Sequence, residues 1–225
     1  MSVMISRRRF AAGGASFAGL ALAGCAHTTS TALAPGGLSP EDAQQFALNY
    51  GPRPQEEFPL PGLKPSVLAP EFRRRRVPYE TREPVGSVVV DTKTFYLYLV
   101  EPSGTAMRYG VGLGRAGFSW AGRARIAWKR PWPKWTPPDS MIAREPELEQ
   151  WSVRNGGMPP GLENPLGARA LYIFEGNRDT LYRLHGTNQP WSIGKAVSSG
   201  CVRLINQDVI DLYDRAKTGA SILVV

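Results

Sequence analysis

From residue 85 the chain is cut into short runs of β-branched and aromatic residues: SVVVDT (87–92), FYLYLVE (95–101), TAMRYGVGLG (105–114) and GRARIAWK (122–129). Runs of this length, divided by turn residues, read as successive antiparallel strands, and Asp91-Thr92-Lys93-Thr94 reads as a tight hairpin. ALYIF (170–174) and TLYRLHG (180–186) form a further hairpin across EGNRD, which leaves His185 at a strand end. Residues 206–219, NQDVIDLYDRAKTG, read as a helix: Asn206 can cap it, Val209, Ile210, Leu212 and Tyr213 form its apolar face, and Gly219 stops it. SILVV then closes the chain as a buried strand. With 24 Gly, 20 Pro and 42% apolar residues in 225, the chain can bury one substantial core but not two large ones. The expected fold is mainly β, with one or two short helices, over residues 85–225.

The stretch before residue 85 has a different composition. Residues 25–84 read as a Pro-rich tether, because prolines at this density interrupt helices and central strands alike. One short helix is expected at Ser39–Asn49, with Ser39 as N-cap, Pro40 at the first helical position and acids in the first turn. Arg73–Arg76 reads as solvated surface, or alternatively as a contact for anionic headgroups or wall polymer. A second Pro- and Trp-rich stretch, residues 130–168, is too long for a passive connection and reads as a lid or substrate wall, with a short helix within Asp139–Glu147. Trp120, Trp128, Trp132, Trp135 and Trp151 lie in or beside it, as cleft wall or as core packing.

SRRRFAAGGASFAGLALAGC (6–25) has a basic start, a weakly apolar middle and a small-residue exit, so residues 1–24 read as an export signal. Ser6-Arg7-Arg8-Arg9-Phe10 fits the twin-arginine pattern. Leu22-Ala23-Gly24-Cys25 resembles a lipobox, in which Cys25 becomes the lipidated first residue; ordinary cleavage after Ala23 is the alternative. The formal net charge of +8 suggests anionic surroundings, but no nucleic-acid-binding motif accompanies it.

The chain has two histidines and two cysteines. His27 and Cys25 lie in the N-terminal stretch, which leaves His185 and Cys201, sixteen residues apart, as the pair inside the domain. An unassigned thiol in an exported chain calls for an explanation: a buried inert cysteine, a Cys25–Cys201 disulfide, or chemistry. A cysteine attacks as thiolate, and its ordinary pKa of about 8.5 requires a base to take the proton. His185 is the one candidate of natural pKa. Gly200 keeps the approach to the sulfur open, and Ser198-Ser199-Gly200 can aim consecutive amides at one point, as an oxyanion hole requires. Arg203, two residues on, can hold a carboxylate and favour the thiolate.

His185-Gly186, a spacer, and then Ser198-Ser199-Gly200-Cys201-Val202-Arg203 resemble the signature of the L,D-transpeptidase (YkuD-type) catalytic domain. VVVDTKTFYLYLV, NPLGARALYI and NQDVIDLYDRAKTGASILVV extend the resemblance over residues 85–225. Ser199 stands where many members have a second histidine. The resemblance implies an L,D-transpeptidase-type β-sandwich or barrel-like domain needing no cofactor or metal. It implies Cys201 as nucleophile, His185 as base oriented by the Gly186 carbonyl, amides near Gly200 and Cys201 as oxyanion hole, and Arg203, Ser198 and Ser199 facing substrate. It further implies 3→3 cross-linking of peptidoglycan stem tetrapeptides through a thioester with loss of D-Ala. Attachment of a protein acceptor and L,D-carboxypeptidase trimming are alternatives, and acylation of Cys201 by a carbapenem is expected. Cys25 followed by Ala26 implies a periplasmic lipoprotein at the outer rather than the inner membrane.

Three rival readings differ in residue order or in chemistry. Sortases place a Thr-Leu-x-Thr-Cys strand far beyond the histidine, and papain-like wall peptidases place cysteine before histidine. A wall-binding lipoprotein without catalysis has no use for the Cys/His/Arg set.

Overall fold

The computed structural model describes residues 38–114, 121–198 and 201–225. The strands are β1 (Arg75–Pro78), β2 (Val88–Asp91), β3 (Tyr96–Glu101), β4 (Thr105–Gly110), β5 (Leu113–Gly114), β6 (Gly122–Pro131), β7 (Arg169–Glu175), β8 (Arg178–His185), β9 (Ala196–Ser198), β10 (Val202–Arg203) and β11 (Ser221–Val224); patterning anticipates β2, β3, β6, β7, β8 and β11 and reads β4 and β5 as one run, whereas β1, β9 and β10 lie in stretches where it predicts no strand. Nine of them form one sheet in the order β1-β4-β3-β2-β11-β6-β7-β8-β10, and β5 pairs with β9. The fold is mainly β, as expected. In the β2–β3 hairpin, Asp91 Oδ1 accepts from the main-chain N–H groups of Lys93 and Thr94, a turn device typical of aspartate.

The last strand is the keystone of the sheet. β11 lies between β2, to which it is parallel, and β6, to which it is antiparallel. Its Ile222 and Val224 are buried together with Val88, Val90, Leu97, Leu99, Ile126, Leu171 and Ile173. The helix α3 (Asn206–Arg215) packs Val209 and Leu212 into the same core. It starts and stops differently from the sequence expectation. Ile205 occupies the cap position, because the Asn206 side chain is drawn away into the site described below. The helix ends at Arg215, and Gly219, at φ +88°, serves the turn into β11 instead.

The segment before the sheet is not a loose tether from Leu38 onward. The helix α1 (Pro40–Tyr50) forms as expected, with Ser39 Oγ accepting from Asp42 N. The rest of the segment is a strap packed along the sheet and α3, because its few apolar side chains find sites there. Leu38, Phe46, Tyr50 and Leu68 form a second core with Ile193 and Ile205. The Phe72 ring fills the space above Gly194, where φ is +77° and any Cβ would collide with the ring. Arg74 also departs from expectation. It is 8% exposed and reaches Asp208 and Asp211 of α3 at 3.7 and 3.3 Å, while Arg75 and Arg76 run along the β1 edge as exposed residues. The stretch 130–168 contains α2 (Asp139–Ile142) and two 3-10 turns, Pro146–Trp151 and Val153–Asn155. Trp132 is a core residue, 4% exposed, packed on Phe58. Trp120 lies outside the described residues.

Candidate active site

Two parallel neighbours build the site. β8 ends at His185 and β10 begins just after Cys201; Val202 pairs with Leu184 and Arg203 with His185. Side chains alternate along strands, so Arg183 and His185 share one face of β8, and Cys201 and Arg203 the matching face of β10. Continuing the register sets Cys201 beside Arg183. The rows extend across the sheet, with Tyr172 opposite Arg183, Ala170 opposite His185, Trp128 opposite Tyr172 and Arg130 opposite Ala170.

His185 is 4% exposed, and its Nδ1 lies 2.6 Å from the Gly186 carbonyl oxygen. A carbonyl can only accept, so Nδ1 carries the proton and Nε2 keeps a lone pair. Burial lowers the imidazole to about 4; the Arg203 and Arg183 charges push the same way, and the Gly186 and Pro165 carbonyls oppose. At neutral pH the ring is therefore an uncharged acceptor. Cys201 is half-buried, and its Sγ makes a long donation to the Leu181 carbonyl, 3.8 Å away. Burial raises the thiol above its ordinary value, against the pull of the Arg183 main-chain N–H and the Arg183 and Arg203 charges. The resting pair is thus neutral thiol and neutral imidazole, a state in which proton transfer accompanies attack.

Arg203 is held at both ends. Its N–H and carbonyl exchange hydrogen bonds with Gly112 at 2.8 and 2.9 Å, and its guanidinium donates to Gln189 Oε1 at 3.1 Å. Ser198 ends β9, where it pairs with Gly114. Ser199 and Gly200 lie outside the described residues, as does Cys25.

Sequence reasoning read Asn206 as a helix cap and missed its place at the site. Its Oδ1 accepts from Ala168 N at 2.9 Å and its Nδ2 donates to Thr187 O at 3.1 Å, so one amide ties the approach to β7 to the loop leaving His185. A Cβ on Gly186 would collide with that Oδ1, which gives this glycine a packing reason of its own. The only signal in the sequence was an amide, able both to donate and to accept, directly after a buried Ile. Also missed was Glu56, whose carboxylate grips Arg169 with two bonds of 2.8 Å and accepts from Trp132 Nε1 at 3.0 Å. Arg169 in turn accepts the Gly186 N–H at its carbonyl, at 3.1 Å.

Residues 86–225 match the model of the YkuD L,D-transpeptidase catalytic domain, which is more than half of the 225-residue chain. The chain belongs to this family. The probable L,D-transpeptidase ErfK/SrfK of Escherichia coli is 32% identical over 143 residues, covering 61% of this chain and 43% of that protein. The putative L,D-transpeptidase YkuD of Bacillus subtilis is 51% identical over 84 residues, 37% of this chain and 47% of that one. The chain thus spans less than half the length of either relative. A crystal structure from Brucella melitensis, named a probable carnitine operon oxidoreductase, shares 46% identity over 70% of this chain and 96% of that chain, with a TM-score of 0.49.

Proposed function

We propose that the protein is a cysteine L,D-transpeptidase that forms 3→3 cross-links between peptidoglycan stem tetrapeptides. The observation that carries this reading is the parallel β8–β10 pairing, which puts Arg203 opposite His185 and Cys201 one step away on the same face, in a chain of the YkuD family. Cys201 Sγ attacks the carbonyl at the L-centre of the third stem residue as its proton passes to His185 Nε2. Main-chain amides around Gly200 and Cys201 receive the oxyanion. The imidazolium returns the proton to the departing D-Ala nitrogen, leaving a thioester. An acceptor amine then attacks the thioester, gives its proton to His185 and releases the thiolate, which regains the proton. Gly186 O keeps the ring in the required tautomer. Arg203, with Ser198 and Ser199, faces the stem peptide and pairs with a carboxylate.

The working protein in this reading is a periplasmic lipoprotein held through Cys25 at the outer membrane. Labelled palmitate retained by the wild type and lost in Cys25→Ala supports this placement; equal labelling overturns it.

Incubation with disaccharide-tetrapeptide, followed by mass spectrometry beside Cys201→Ala, tests the reaction. D-Ala release with a dimer joined through two third-position residues, absent from the variant, is the expected result. Tripeptide monomer alone identifies water as acceptor and a carboxypeptidase, or a protein acceptor that the assay lacks. An unchanged substrate with folded protein leaves a wall-binding role in place of catalysis.

A further inference from the structure

The β8–β10 register sets Arg183 in the row of Cys201, and its guanidinium is gripped by Asp179, by the Tyr172 ring and by the Tyr182 carbonyl, to which Nη1 donates at 2.8 Å. Asp179 holds it bidentately, at 2.7 and 2.8 Å. Tyr172 lies under it, with Cζ 4.3 Å from the ring centroid; Trp128 stacks on Tyr172 at 3.3 Å and 13°. The Arg183 side chain is only 13% exposed. Asp179 also shapes the strand at this point. Its Oδ1 accepts from Leu181 N at 2.8 Å, stabilising a bulge in which Leu181 takes φ +62° and turns its carbonyl toward the Cys201 sulfur. One carboxylate therefore sets both the backbone facing the sulfur and the nearest cation on that strand. Arg183, Asp179 and Arg203 are charged groups that act on Cys201, with His185 uncharged at neutral pH.

We propose that Arg183 is a positioning residue for the nucleophile: held by Asp179 and Tyr172, its guanidinium is the fixed cation on the β8 side of the Cys201 sulfur, and Asp179 is the counter-charge that limits its strength. The assignment rests on reading Cys201 as the reactive thiol. Arg203 supplies a cation on the other strand, held among the described residues by a single side-chain bond to Gln189 and assigned in the proposed reaction to a substrate carboxylate, whereas Arg183 is held by a bidentate carboxylate and a ring face. If the Arg183–Asp179 pair only braced the bulge, loss of either partner would disturb the thiol in the same sense. If it acts as charge and counter-charge, the two losses act in opposite senses.

The test is alkylation of Cys201 by iodoacetamide in the full chain, read by peptide mass spectrometry across pH. The thiolate forms the S–C bond, iodide leaves and the thiol proton goes to solvent, so the rate follows the thiolate population. Arg183→Gln is expected to move the midpoint of the profile up by about half a pH unit and to slow reaction at pH 7 about threefold. Asp179→Asn keeps the acceptor for Leu181 N, and is expected to move the midpoint down and to speed the reaction at pH 7. Arg183→Lys keeps the charge without the fork and is expected to fall between the wild type and Arg183→Gln. Midpoints that move the same way in Arg183→Gln and Asp179→Asn, or that do not move at all, overturn the proposal. Should Arg183→Gln lose cooperative melting, an unmoved or raised midpoint in Asp179→Asn overturns it alone. Opposite shifts in a protein that leaves tetrapeptide untouched support this assignment while overturning the substrate.

Discussion

His185 shows how burial of one candidate-site residue bears on stability. Its imidazole is about 4 in the folded chain against 6.5 in its unperturbed state, so the unfolded chain binds the proton more readily. The stabilisation from the neutral ring is complete above pH 6.5 and is lost as the pH falls toward 4, up to about 3 kcal/mol for a shift of this size. Thermal melts from pH 7 to pH 4 are expected to show this decline in the wild type and a shallower one in His185→Gln. A carbapenem is expected to acylate Cys201, adding its full mass to the wild-type peptide and nothing to Cys201→Ala; an unmodified wild-type thiol counts against the nucleophile assignment. Asn206 is the other residue whose loss is costly. Asn206→Ala orphans Ala168 N and Thr187 O together, at about 1–3 kcal/mol each, and frees the loop that leaves His185. A fall in both melting temperature and kcat is expected; unchanged kcat at reduced stability would confine Asn206 to a structural role.

Among the elements, the strap from Leu38 to Pro78 bears most directly on the site. Phe72 and the α1 cluster press on Ile193 and Gly194, midway along the loop between His185 and Cys201. Glu56 braces Arg169, whose carbonyl receives Gly186 N. Arg74 fastens the strap to α3, the helix that follows Arg203. The Glu56–Arg169 pair is 11% and 12% exposed, so removing one partner strands a nearly buried charge. Glu56→Ala is expected to cost about 3 kcal/mol, measured by denaturant unfolding. The charge-reversed double variant, Glu56→Arg with Arg169→Glu, is expected to recover part of that loss; no recovery would mean that shape rather than charge holds the strap.

At the scale of the whole molecule, the family match starts at residue 86, but the folded body starts earlier. A chain beginning at residue 79 would expose Ile193 and Ile205, now 6% and 1% exposed, and would leave Asp208 buried without Arg74. Burial already holds Asp208 up at about 7 with that arginine present. The shortened chain is expected to melt more than about 5 °C below one beginning at residue 38, with dye binding to the uncovered apolar surface. Equal melting temperatures would show the strap to be an accessory.

How much of this was legible before folding depends on the range of the interaction. Alternating apolar residues, Asp91 in its turn, and Ser39 and Pro40 at their helix start report local geometry, so most strands, the hairpins and α1 could be read in order along the chain, and the His185/Cys201/Arg203 spacing named the candidate site. Strand order, the strap, the Glu56–Arg169 brace, the double tie of Asn206 and the Arg183–Asp179–Tyr172 grip could not. Each joins residues on separate elements, and a side chain such as Asn206, equally able to cap a helix or bridge two strands, takes the partners that packing leaves unsatisfied. The amino-acid sequence by itself determined which segments coil, most of those that extend, and which side chains are chemically able to react. Only the tertiary structure decided their neighbours, because burial, and with it the protonation of His185 and Cys201, is set by the chain that folds over them.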